Sequence, residues 1–445
     1  MKNLLSFALV CVCMLVCSLA QAQKPLLDSA SLAQKDVFTS LEEAIKMPLE
    51  VYKLDLSGKK LSVVPQDIFK FKNLQWLDLS QNEFSVLPKE IGSLSNLEVL
   101  ELNNNFDLSI LPAEIGQLKN LKELSLRELM GLKSLPVEIG QLKNLKELNL
   151  QGLTSLTSLP AEIGQLENLK NLDLYSCKNL TTLPKEMVNL KNLEELTLGG
   201  NEQTSLPSEV WNLKNLKKLG LYGVSFSVLP KEINNLSSLE VLNYRDENLV
   251  SLSVGIGQLK NLKELGLCGC VELKALPKEI GQLKNLKKLD LSDCQNLITL
   301  PKEIGNLINL KDLNLGNNLF DSSEFYDPKN FTVLPKEISN LINLENLDLS
   351  TTPNLKALPK EIGNLSNLKE LNLTTCLKIK TLPKEIGNLK NLKKLNLSVC
   401  IKLTTLPKEI ENLINLKELD ISDTKISQVE KANIKKMLPN CKIVE

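Results

Sequence analysis

The chain has 445 residues, with 53 Lys+Arg balanced by 53 Asp+Glu. That balance argues against a nucleic-acid-binding surface, which shows as a basic excess. Histidine is absent and aromatics are only 4% of the chain, which removes Ser-His-Asp and Cys-His chemistry, His-ligated metal sites and a base-stacking platform.

Residues 1–22 read as a secretory signal. Lys2 supplies a positive charge, Leu4 to Leu19 is apolar apart from Ser6 and Ser18, and Ala20 and Ala22 are the small residues a signal peptidase reads. The apolar stretch falls short of the roughly 20 residues that span a bilayer. The expectation is cleavage after Ala22 and export, with no membrane insertion of the mature chain. Residues 23–50 then read as an N-terminal helical cap. Ser40 with Glu43 forms a capping-box pattern, and Pro48 should stop the helix.

From residue 51 to 424 one unit of 23 or 24 residues repeats. Fourteen of the 19 prolines, from Pro65 to Pro407, occupy the same place in it. Ser253 replaces the proline once, and Pro301 to Pro335 spans 34 residues. Within each unit the leucines fall as L-x-x-L-x-L, as in Leu145, Leu148 and Leu150. The last two alternate with polar residues, the mark of a short strand with one buried face. Proline followed by an acid suits a first helical position, so a short helical turn is expected there. A unit this small cannot bury its leucines alone, whereas stacked units share one core.

With these motifs the chain resembles a leucine-rich repeat protein. The LPxEIxxLxxLxxLxL phrase is similar to scribble-type, plant disease-resistance-type and exported bacterial repeats. The resemblance implies an α/β fold: a curved solenoid of about 16 repeats, with a parallel sheet on the concave face and short helices or turns on the convex face. It also implies protein binding on the concave face and no shared catalytic residues. The family consensus places Asn or Cys after each strand, where it bonds turn backbone. Here Asn82, Asn105, Asn201 and Asn318 fill that slot, as do Cys177, Cys270, Cys294, Cys376 and Cys400. Seven units depart from it, with Lys59, Leu129, Leu153, Val224, Glu247, Thr352 and Thr424.

Seven of the ten cysteines lie beyond residue 22. Five follow the repeat register, so buried reduced thiols are expected. Pairing of Cys270 with Cys294 or of Cys376 with Cys400, on adjacent strands, stays open in an oxidising compartment. Cys268 alternates to the other face. An insertion between Asn318 and Thr332 holds four of the 17 aromatics, including Phe325 and Tyr326; insertions in repeat arrays often form binding loops. Residues 425–445 read as a C-terminal cap, with a helix from Lys431 to Met437 and Ile443 and Val444 closing the last strand layer.

The outward strand positions frame the function. The column between the last two leucines, from Asp55 to Asp420, is small and polar with no cation. The next column carries Arg127, Gln151, Tyr175, Tyr222 and Arg245 in its middle third, and Tyr and Arg are enriched at interface hot spots. Trp76 is a further candidate on the concave side, while Trp211 falls on the convex side as scaffold. No catalytic, cofactor or metal-ligating constellation appears. The expected function is a non-catalytic, exported, bacterial protein-binding module. The alternative is a structural or adhesive cell-envelope component. Two sequons, at Asn372 and Asn396, would obstruct the concave face if glycosylated, which favours bacterial export.

Overall fold

The computed structural model describes residues 26–200, 206, 208–317 and 331–445. The chain divides into two compact units, Met1–Leu193 and Glu194–Glu445. The expected signal segment, Phe325 and Tyr326 lie outside the described residues.

Both units are built from the same repeat, and both are parallel sheets. The first sheet runs from Val37–Phe38 through Lys53–Asp55, Trp76–Asp78, Val99–Glu101, Glu123–Ser125 and Glu147–Asn149 to Asn171–Tyr175. The second runs from Glu195–Gly199 to Lys442–Val444. Register pairs each repeat leucine with its counterpart, as Leu124 with Leu148 and Leu289 with Leu313. These leucines are at most a few per cent exposed while their neighbours face solvent. Each fully buried leucine stabilises by roughly 1.5–3 kcal/mol relative to exposure, and no unit could bury its own set alone.

Each described repeat proline closes the path from strand to outer flank in a slightly different way from that expected. It sits at the N-cap, extended, with φ near −65° (Pro301, φ −65, ψ 148), and a five-residue 3-10 helix follows it. Its carbonyl accepts the first helical bond, as from Ile304 N at 3.0 Å. The ring therefore fixes the entry angle without costing a helical donor. Glycine follows the helix isoleucine in many repeats because adjacent helices stack closely. A Cβ at Gly164 would stand 2.3 Å from the carbonyl oxygen of Glu186.

The ladder after the strands is more complete than the sequence indicates. Asn82 Nδ2 donates to Leu56 O and Leu79 O, each at 2.9 Å. The thiols of Cys177, Cys294, Cys376 and Cys400 reach a carbonyl of the preceding repeat at 3.1–3.3 Å. All seven described cysteines are free. Thr352 and Thr424, counted above as departures, donate their hydroxyls to Leu349 O and Ile421 O at 2.6 and 2.7 Å. Leu129, Leu153 and Val224 are buried without donors. At Val224 a tyrosine takes over: Tyr244, in a leucine position and 1% exposed, donates its hydroxyl to Val224 O at 2.7 Å. Phe226 stacks on Tyr244 and Trp211 packs on Phe226, so Trp211 is scaffold.

Glu247 is exposed, and the buried residue at that turn is Asp246. Its carboxylate accepts from Asn248 N at 2.8 Å and faces Ser225 Oγ at 3.4 Å. This corrects the assignment by one residue. Most other turns place the residue before the slot in the left-handed region, as Asn104 and Asp293, but this turn has no such residue.

A second ladder runs through the Asn-Leu pairs that precede the strands. Asn73, Asn96, Asn120, Asn144, Asn168 and Asn192 each donate Nδ2 to a carbonyl of the preceding repeat, at 2.8–3.1 Å. In the second unit Asn261, Asn285, Asn309, Asn343, Asn367, Asn391 and Asn415 do the same.

At the start of the described chain, helices Ser29–Ala33 and Leu41–Lys46 flank the strand Val37–Phe38. Asp28 caps the first of them, accepting from Ser31 N at 2.7 Å. The capping box at Ser40 does not form: its hydroxyl makes no capping bond, and its carbonyl alone accepts from Ala44 N at 3.1 Å. Gln75, 1% exposed, clasps Leu27 with two bonds, 2.9 Å from Leu27 N to Oε1 and 3.0 Å from Nε2 to Leu27 O. At the far end, a helix spans Gln428–Met437, capped by Ser427, and Lys442–Val444 pairs with Glu418–Asp420.

Candidate protein-binding face

The open face of each sheet carries three outward positions per repeat, and the scaffold already uses one. The middle column accepts backbone N–H groups two residues ahead: Asp78 from Ser80 N at 2.7 Å, Asn149 from Gln151 N at 2.9 Å, Asp173 from Tyr175 N at 2.9 Å. In the second unit Asp290, Asn372, Asn396 and Asp420 act alike at 2.9–3.1 Å. The neighbouring strand cannot serve these donors. Leu56 N and Gly58 N bond across to Asp78 O and Ser80 O, leaving Ser57 N to Asp55 at 2.9 Å. A small Asp or Asn is therefore what the backbone requires.

The first unit's open face is acidic. Burial raises the carboxyl of Glu101, and the nearby Asp78 adds to it. Burial likewise raises Glu123, with the like charges of Glu147 and Glu101 adding. Burial also holds Asp173 above its ordinary range, opposed by the Tyr175 N–H and the Arg127 charge. In the second unit, the first outward column mixes both signs and pairs in places along the ladder: Lys218 with Glu195 at 2.5 Å, Lys442 with Glu418 at 3.4 Å.

The structure places the expected contact residues in two groups. In the first unit the strands bearing Ser125, Asn149 and Asp173 are consecutive and in register. Arg127, Gln151 and Tyr175, two residues further on, thus fall in one row. Arg127 is exposed, Gln151 half-buried, and Tyr175 39% exposed. Trp76 is half-buried on the same face, paired in register with Lys53 and Val99. In the second unit Tyr222 and Arg245 are direct register partners. The Tyr222 ring lies against Gly220, where a Cβ would come within 2.8 Å of Cε2. Arg245 lies over Gly269, with Nε 3.0 Å from where a Cβ would stand. Glycine beneath each side chain lets it settle onto the sheet, which limits the freedom it would lose on binding.

These two features, a repeated leucine core and short parallel strands, identify the architecture. A family model described as Leucine-rich repeat region matches residues 50–151, 127–219, 200–327 and 325–442. The chain belongs to the leucine-rich repeat family. A solved leucine-rich repeat protein of Leptospira interrogans is 44% identical, covers 92% of this chain and 100% of its own, with a TM-score of 0.80. Toll in the Toll–Spätzle complex of Drosophila is 21% identical over 84% of this chain and 50% of its own, TM-score 0.65. TLR13, solved with an ssRNA, is 20% identical over 89% and 68%, TM-score 0.54; these last two show the fold alone. No curated protein matches the chain. The fold is a leucine-rich repeat solenoid, commonly a protein-binding module and typically non-enzymatic. No helix among the described residues is long and apolar enough to cross a membrane.

Proposed function

We propose that this leucine-rich repeat chain is an exported, non-catalytic module that binds a protein partner on its open sheet face. Arg127, Gln151 and Tyr175 of the first unit, and Tyr222 and Arg245 of the second, make the contacts. The observation that carries the reading is the placement of Tyr222 and Arg245. They are adjacent, face outward and are seated on glycine, in a column otherwise mostly small. Trp76 extends the contact in the first unit, and Phe325 and Tyr326 add to it from the insertion. The acidic open face of the first unit disfavours a nucleic-acid ligand. The 44% identity to a Leptospira protein supports a bacterial setting.

The test begins with crosslinking of the intact chain in its native medium to identify the partner. Affinity is then measured for the wild type and for a Tyr175→Ala, Tyr222→Ala, Arg245→Ala variant. Hot-spot truncations cost about 2 kcal/mol or more each, so the triple variant should bind at least about a hundredfold more weakly. Unchanged affinity with an unchanged fold removes the contact assignment. Fractionation with N-terminal sequencing tests export: a mature chain starting at Gln23 outside the cytoplasm is expected. Envelope retention with no discrete partner would favour the structural or adhesive role instead.

A further inference from the structure

The open face of the second unit holds a recess of about 160 Å³ over the strands Asn346–Asp348, Glu370–Asn372 and Lys394–Asn396. Register places Asn346, Glu370 and Lys394 side by side, and Asp348, Asn372 and Asn396 in the next row. Leu347 and Leu371 belong to its floor but are almost wholly buried, so its walls are the outward polar side chains.

Part of this polar set is committed to the scaffold. Asp348 accepts from Ser350 N at 2.7 Å and from Asn372 Nδ2 at 3.1 Å. Asn372 Oδ1 accepts from Thr374 N and Oγ1 at 3.1 and 2.7 Å. Asn346 Nδ2 donates to Asp312, and Asn396 Oδ1 accepts from Ser398 N and Oγ. Four groups keep capacity for a ligand. They are the Glu370 carboxylate, the Asn346 amide oxygen, the Asn396 amide nitrogen, and the Lys394 ammonium, whose ion-pair partner Glu418 stands 3.8 Å away.

These four groups restrict what can enter. An apolar side chain would strip water from all of them without replacing a bond. A lone cation meets Lys394, and a lone anion meets Glu370. A neutral polyhydroxylated ring suits them, because each hydroxyl both donates and accepts. It can replace ordered waters bond for bond. The recess holds about five waters at roughly 30 Å³ each, the scale of one sugar ring. We infer that this recess binds a neutral hexopyranose, free or as the exposed end of a glycan. This site is separate from the Tyr222 and Arg245 contact.

The experiment titrates the chain from residue 23 with methyl α-D-glucopyranoside, methyl α-D-mannopyranoside and methyl β-D-galactopyranoside, read by NMR. At least one should bind saturably, with Kd on the order of 1 mM. Glu370→Ala and Lys394→Ala should each weaken it at least about tenfold. Glu370→Trp, which fills the recess, should abolish it with unchanged circular dichroism. A Tyr222→Ala, Arg245→Ala variant should retain sugar affinity. Retention on beads bearing the same hexoside assigns the glycan end, while binding in solution alone assigns the free sugar; either supports the site. The inference is overturned if none of the three binds, if Glu370→Ala and Lys394→Ala leave binding unchanged, or if glycine, arginine or glutamate binds more tightly.

Discussion

The slot thiols allow a sharp test of the interior. Burial pushes Cys177, Cys270 and Cys376 from an ordinary value of 9.0 to about 12, and Cys400 to about 11. It pushes Cys294 well up too. Only the thiolate attacks an alkylating agent, so a rise of three pKa units cuts reactivity about a thousandfold before access is considered. Cys268 and Cys441 are half-exposed. Iodoacetamide at about pH 8 should therefore label two of the seven cysteines beyond residue 22 in the native chain, and all seven after denaturation. Intact mass counts the labels, and oxidative pairing of Cys270 with Cys294 would show as two missing labels after denaturation. Stability should also depend on alkali, and the sign is definite. The folded values lie above the unfolded one, so the stabilisation is whole below pH 9 and is lost as pH rises towards 12. At about pH 11 each thiol held near 12 forfeits about 3 kcal/mol. Cys177, Cys270 and Cys376 together forfeit on the order of 8 kcal/mol, comparable with the whole stability of a domain. Alanine at these three positions should move the alkaline unfolding midpoint upward. Rapid native labelling of five or more cysteines, or an unmoved midpoint, would refute the buried-thiol account.

Four further outcomes follow from the scaffold. Gly164→Ala, which sets a Cβ against Glu186 O, should destabilise by about 1–3 kcal/mol, read as a lower urea midpoint. Asn82→Ala removes a buried amide that serves two strand carbonyls and should cost about 1–3 kcal/mol. Asn144→Ala, which breaks one exposed bond, should cost no more than about 1 kcal/mol in the same assay. Val399 holds a left-handed φ of 59°, a genuine outlier for a β-branched residue. Val399→Gly should therefore stabilise by about 1 kcal/mol, raising the thermal midpoint.

The fold was legible because the repeat imposes two periods at once, alternating leucines and a proline every 23 or 24 residues. Ser253 in place of one proline and the 34-residue step from Pro301 to Pro335 leave that pattern readable. What escaped was hydrogen bonding by residues whose neighbours suggested another role. The Asn before the repeat leucine, as Asn144 before Leu145, has nothing in its immediate neighbours to mark a backbone bond, and its recurrence from repeat to repeat was the available signal. Thr352 and Thr424 looked like gaps in the slot because the consensus names Asn or Cys, although a hydroxyl also donates. Asp246 was missed because this turn, unlike most others, has no left-handed residue before the slot, and only the backbone reveals that. Candidate contacts were legible as outward residues by strand alternation. The glycine seats beneath Tyr222 and Arg245 lie in another row, at Gly220, and in the turn after the next strand, at Gly269, so only the structure brings them together.

The middle outward column shows how scaffold and ligand recognition separate on one face. Its Asp and Asn residues invite a reading as a binding strip, but most of them, Asp78, Asn149, Asp290 and Asn396 among them, already accept a backbone N–H that the neighbouring strand leaves unserved. The two readings make opposite predictions at Asp290, which accepts Ser292 N at 3.0 Å and Ser292 Oγ at 2.7 Å. Asparagine there keeps the accepting oxygen and removes the charge; alanine removes both. If the column serves the backbone, Asp290→Asn should leave the urea midpoint nearly unmoved, while Asp290→Ala should lose about 1 kcal/mol. If the carboxylate instead recognises a partner, both variants should weaken binding alike. Equal destabilisation by the two substitutions would show that charge, not the accepting oxygen, matters to the strand.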